Sequence, residues 1–278
     1  ARRRKALAPV GLPFGVVAVD GKTTAIGAWD KQYSQKQPHS EGGGAHGAVR
    51  TLSCTLVSSR AKVYLDVVPV PSATNETGAF PSALHSLRQA YGPRLPFSLV
   101  AADAAQCTRA NDTLICKTHG LHYLLRLKDS QPTLHTEATR LFSPRRKPVL
   151  AAQSHEVRKP YEEHRRLYIS DEMAGFDGWG NLQTVLRVDR EKVRLDTGEV
   201  LHQGSRYFIC SLPVDALTPQ QWLRLVRCYW AVENEGHHTL DTALCEDDRP
   251  WIMADPQGMV AVLLLRRLAY NILALYRG

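Results

Sequence analysis

The chain has 278 residues, 44% of them hydrophobic and 22% charged, with a formal net charge of +8. That much apolar material fills one large core or two small ones and excludes a disordered chain, and the basic excess favours polyanionic partners over acidic ones. No stretch reads as a membrane span or a signal core, and Cys54, Cys107, Cys116, Cys210, Cys228 and Cys245 form no CxxC pair, so a cytoplasmic protein with buried, reduced thiols is expected.

The first predicted element is the apolar run Gly15 to Asp20, read as a buried strand whose end presents Asp20. Residues 32–47 are polar and glycine-rich and read as a loop. Two strands joined by a short polar link, Arg50 to Ser58 and Lys62 to Pro69, form a hairpin beside the first. Phe80, Leu84 and Leu87 recur at helical spacing, and Gly92-Pro93 ends that helix. Phe97 to Asp103 repeats the pattern of an apolar strand ending in aspartate, followed by a helix to about Gly120 and a strand from Tyr123 to Leu127. From Leu134 to Leu212, basic and polar stretches alternate with short apolar runs, which reads as a β-rich insertion. Beyond Pro219 the apolar spacing becomes helical again, through Trp222, Leu225, Val226, Tyr229 and Trp230, and Val260 to Tyr276 forms a closing helix.

This order is that of an RNase H-like α/β fold: a mixed sheet flanked by helices, with a β-rich insertion before a helix that carries a third acid. The segments expected are 1–14 as a basic N-terminal remnant, 15–133 as the first part of the catalytic domain, 134–215 as the insertion and 216–278 as the completing helices. An aspartate at a strand end is by itself most often a turn or cap residue. The third acid changes the balance. Glu233, His237 and Asp241 are spaced by four residues and would share one helix face, flanked by Trp230, Val232 and Leu240, which suit a helix packed on a core. Partly buried acids need a partner, and a metal ion supplies one.

The motifs resemble those of the DDE transposases of insertion sequences, in the ISAs-type branch that includes the H-repeat-associated proteins. The residues that carry the resemblance are Val19-Asp20-Gly21-Lys22, Thr74-Asn75-Glu76, Asp103-Ala104-Ala105-Gln106-Cys107, Leu127-Lys128-Asp129-Ser130-Gln131 and Tyr207 to Leu212. A last motif comprises Arg227, Trp230, Val232, Glu233, Asn234, His237, Leu240, Asp241, Glu246 and Asp247, with Leu265-Arg266-Arg267-Leu268-Ala269-Tyr270-Asn271 closing the chain. Departures from the family pattern are Thr23 to Ala25 after Lys22, Tyr229 where a histidine is usual, and Gly236 and His238 at apolar or aromatic positions.

The resemblance implies an enzyme that cleaves DNA at the ends of a mobile element and transfers the freed 3′-hydroxyl into target DNA. Asp20 would bridge two divalent ions about 3.5–4 Å apart, Asp103 would hold one and Glu233 the other. Mg2+ is the expected ion, with Mn2+ as a substitute. The expected partner is double-stranded DNA, at element ends and target, bound by a homodimer in the bacterial cytoplasm near the nucleoid, with no membrane. His237, Asp241 and Asn234 would orient Glu233, although His237 and Asp241 also read as core polar residues that satisfy one another.

Contacts to DNA are expected from Lys22, Lys128, Gln131 and Arg227, and from the insertion's Arg145, Arg146, Lys147, Arg158, Lys159, Arg165 and Arg166. Lys22 also reads as a partner for Asp20 without metal. Trp179 reads either as a stacking platform for an unpaired base or as core. Two rival functions share the fold: a domesticated DNA-binding protein that does not cut, against which the three acids argue, and a stand-alone metal-dependent nuclease, against which the motif order argues.

Overall fold

The computed structural model describes residues 6–37, 46–231, 238–246 and 251–277. The fold is mixed α/β, and the chain divides into two compact units, residues 1–98 with 228–278 and residues 99–227.

In the first unit, β1 (Val16–Ile26) pairs antiparallel with β3 (His46–Leu56), and β3 also pairs with β2 (Ser34–Gln37) and with β4 (Tyr64–Val70). Two expectations are corrected here. β1 does not end at Asp20 but runs six residues further, because Thr24 and Ile26 alternate inward and the whole length pairs with β3. The stretch expected as loop holds the short strand β2, whose polar residues still complete a ladder with β3.

Helix α1 (Glu76–Tyr91) starts where the Asn75 side chain accepts the Gly78 N–H at 2.9 Å and stops at Gly92, whose φ of 53° suits glycine. Its Phe80, Ala83, Leu84 and Leu87 are buried, and it packs on β3 and β4.

The last helix of this unit, α6 (Pro256–Arg277), buries Met259, Leu263, Arg267 and Tyr270 along one stripe and packs on β3 and β4. It overturns the expectation that no segment is long and apolar enough to cross a membrane: its most apolar window has a mean hydropathy of 1.6. Its buried stripe, however, holds Arg266 and Arg267. Arg267 forms an ion pair with Glu246, whose side chain is fully buried, and Asn271 pairs with the backbone of Tyr64 through both halves of its amide, at 2.7 and 2.8 Å.

The second unit is a mixed sheet. Parallel β5 (Leu99–Ala102) and β6 (His122–Leu127) continue into an antiparallel run of β10 (Val200–Cys210), β9 (Thr184–Arg194), β8 (Tyr161–Ser170) and β7 (Leu150–Arg158). Between β5 and β6 the chain forms α2 (Arg109–Thr113) and a π-turn, and after β6 comes α3 (Pro132–Leu141). The stretch expected as β-rich therefore opens on this helix. Its apolar side, Leu134, Ala138 and Leu141, is buried.

Helix α4 (Pro219–Ala231) carries the chain back to the first unit. Its start is a reciprocal cap: Thr218 N–H donates to Gln221 Oε1 at 2.9 Å and Gln221 N–H to Thr218 Oγ1 at 3.3 Å. The short helix α5 (His238–Ala243) follows the residues that are not described.

Candidate active site and nucleic-acid surface

Asp20 stands in the middle of β1, opposite Ser53 of β3. The four residues before it, Val16 to Val19, are at most 1% exposed, whereas Asp20 is half-buried, and its Oδ1 accepts the Gly21 N–H at 3.1 Å. The polar step comes where the strand leaves the deepest core. Lys22, two residues on and so on the same face, donates from Nζ to Asp241 Oδ1 at 2.7 Å, with its side chain only 9% exposed. This corrects one expectation, since an ammonium so enclosed and so paired is not a DNA contact. It also gives Asp241 a partner the spacing did not suggest, on a strand rather than on its own helix. Glu233, Asn234 and His237 lie outside the described residues, and so does the helix face expected to join them to Asp241.

The opposite face of β1 brings up an acid to which the sequence motifs assign no role. A Cβ placed on Gly21 would lie 2.0 Å from the carboxyl carbon of Glu76, so glycine here lets that carboxylate lie against the strand one residue from Asp20. The available signal was the Thr74-Asn75-Glu76 motif itself.

Asp103 follows β5 directly, where Leu99 to Ala102 are each fully buried. Its Oδ1 accepts the N–H groups of Ala105 at 3.1 Å and Gln106 at 3.4 Å, so the carboxylate caps the short turn Ala104–Gln106. Its Oδ2 makes no hydrogen bond among the described residues. Next to it, burial pushes the Cys107 thiol up to about 12, and the nearby Asp103 charge adds to that. Burial likewise pushes Cys210 up to about 12; all six cysteines are free thiols, but only Cys54, Cys107, Cys210 and Cys228 are buried as expected, Cys116 and Cys245 being half-buried.

The expected DNA-facing cations divide into two groups. Lys128, Arg145, Lys147, Lys159 and Arg166 are exposed, and Gln131 is half-buried at the start of α3. Arg146 is exposed but pairs with Glu172 at 2.7 Å, and Arg158 lies 3.5 Å from Glu156. Arg165 is not a surface cation, and Arg227, although its side chain is 37% exposed, is already paired. Arg165 is 11% exposed, 2.6 Å from Glu163 and 3.7 Å from Glu156, and Arg227 forms an ion pair with Glu156. Burial lowers the Arg165 pKa, while Glu163 and Glu156 oppose that effect. A charge already neutralised and partly desolvated has little to offer a phosphate. Trp179 is fully buried, its backbone N–H donating to Phe176 O at 3.0 Å, so it is core rather than a platform for a base.

Comparison with known proteins finds no matching family model and no matching curated protein. Among solved structures, the chain is similar to endonuclease V of Ciona intestinalis, solved in complex with a 24mer DNA containing an inosine followed by a ribo-adenosine. The identity is 9% and the TM-score 0.28, over 82% of this chain and 85% of that one, a likeness too slight to carry an argument about fold or activity.

Proposed function

We propose that this chain is the catalytic core of a DDE-type DNA transposase on an RNase H-like fold, which cuts DNA at element ends and joins the 3′-hydroxyl to target DNA. One observation carries this reading: the two described members of the expected acid triad each stand half-buried directly after a fully buried run, Asp20 after Val16 to Val19 of β1 and Asp103 after Leu99 to Ala102 of β5. The motif order along the chain supports it.

The donor set suits Mg2+. Both acids offer carboxylate oxygens within reach of solvent, and among the described residues no donor reaches Asp103 Oδ2. Asp20, Asp103 and Glu233 would hold the ions, which when bound supply the Lewis acidity that phosphodiester hydrolysis requires. The chain's own part is positional. The β1–β3 ladder fixes Asp20, and two backbone N–H groups orient Asp103. In the first step the oxygen of water bonds to phosphorus as the bond to the 3′-oxygen breaks, leaving a 3′-hydroxyl. In the second, the oxygen of that hydroxyl bonds to a target phosphorus as the target's own bond from phosphorus to its 3′-oxygen breaks, leaving a 3′-hydroxyl on the target strand, and no covalent protein intermediate forms. Exposed Lys128, Arg145, Lys147, Lys159 and Arg166 would hold the backbone.

The test incubates the protein with Mg2+ and labelled duplexes taken from the DNA flanking its own gene, and maps the products. Wild type is expected to nick at a fixed position and to join the end to a second duplex. Asp20→Asn, Asp103→Asn and Glu233→Gln should each lose at least about a hundredfold in cleavage, since even groups outside the ligand set of a metal are worth 10–100-fold, while duplex binding persists. Cleavage at wild-type rate in any of the three would remove that acid from the set.

A further inference from the structure

The hairpin of β7 and β8 carries a cluster unconnected with the acids above. His155 and His164 are directly opposite one another across the two strands, so their side chains rise from the same face, and Glu162, two residues before His164, shares it. The imidazole rings stack at 4.3 Å with 5° between their planes. His155 Nε2 is 3.0 Å from one oxygen of Glu162, and His164 Nε2 is 3.6 Å from the other.

We propose that His155, His164 and Glu162 form a binding site for a late first-row divalent cation, zinc foremost. Their ligand atoms all lie within 4.8 Å of one another, and among the described residues they are the group of histidine, cysteine and acid side chains so gathered. A tetrahedral ion with bonds of 2.0–2.1 Å holds its ligands about 3.4 Å apart, a spacing that the two measured separations bracket. Two imidazoles and one carboxylate are the donors that such ions take in preference to Mg2+, which favours oxygen alone.

The setting also suits a ligand site. The cluster opens on a cavity of about 460 Å³ whose wall includes Gln153 and Glu191, leaving room for a solvent or carboxylate fourth ligand. Glu191 pairs with His164 across β8 and β9 and so rises on the same face. The opposite face of this sheet is taken up by the pairs of Glu156 and Glu163 with Arg165 and Arg227, so the histidines are not drawn into that network. An ion here would add a side-chain clamp to two strands already paired from Leu150 and Tyr168 to Arg158 and Tyr161.

The test uses the full chain, stripped with EDTA and titrated with zinc chloride by calorimetry. One zinc should bind wild type, and His155→Ala, His164→Ala and Glu162→Gln should each weaken it at least tenfold with unchanged circular dichroism. Asp20→Asn should bind zinc as wild type does, which separates this site from the proposed magnesium ligands. Absence of zinc binding, or wild-type affinity in both histidine variants, would overturn the assignment. Should a variant fail to fold, Co2+ added to wild type decides: the intense visible bands of a four-coordinate ion support the site, and only the weak bands of a six-coordinate ion refute it.

Discussion

Asn271 shows what a single amide does in this molecule. It lies on α6 yet treats Tyr64 as a neighbouring strand would, accepting its N–H and donating to its C=O. Removing it strands a backbone donor and acceptor that are part-buried, each costing about 1–3 kcal/mol if water cannot reach it. Asn271→Leu should therefore lower stability by about 2 kcal/mol or more in urea unfolding, and an unchanged midpoint would mean that solvent replaces the amide. At this scale the sequence was only partly readable. Asp20 and Asp103 stood out because each interrupts an apolar run. The fates of Lys22, Arg165 and Arg227 did not, because their partners Asp241, Glu163 and Glu156 are brought to them by strand pairing and helix packing rather than by local spacing. Trp179, between two glycines, was open to either reading, stacking platform or core, and its full burial makes it core.

Elements that bury both faces, such as β5, were legible from composition alone, and so was α1, from its period and its stop. Elements defined by pairing were not. The second half of β1 contains Lys22, Thr23 and Thr24, polar enough to resemble a turn, and β2 has no apolar pattern at all, so only the β3 ladder makes them strands. The closing helix α6 was legible, but what fastens it was not. Glu246 at 0% exposure and Arg267 at 3% form a pair sealed from water, with the Arg267 guanidinium 5.9 Å from the centre of the Tyr64 ring. Losing one partner leaves an uncompensated buried charge, so Glu246→Ala should destabilise by about 3–5 kcal/mol in calorimetry. Replacing both, as Glu246→Leu with Arg267→Met, should recover most of that loss. If the double variant were no better than the single, the pair would owe its worth to something other than mutual neutralisation.

For the whole molecule, a net charge of +8 overstates what is on offer to a polyanion at any one site, because ion pairs consume cations unevenly. The exposed set in the second unit includes Arg145, Lys147, Lys159 and Arg166. If the proposed DNA binding is correct, alanine at these four should make the plot of log affinity against log salt shallower, by about 0.9 for each phosphate no longer neutralised. Arg165→Ala and Arg227→Ala should leave that slope alone and reduce stability instead. Fluorescence anisotropy on one duplex across a salt series reads the first outcome, and thermal unfolding the second. A slope unmoved by the four substitutions would place the DNA surface elsewhere.

Asp20 has one further consequence, which follows from its standing within a ladder rather than at the end of one. An acid on a loop can swing to meet its ligand, but one mounted between paired residues on both sides has its Cα held by the backbone of β3. Most of the entropy of fixing this oxygen donor is then lost when the protein folds, not when a ligand arrives. In the proposed role Asp20 would thus act as a datum, and accommodation to ligands of different size would come from the groups around it.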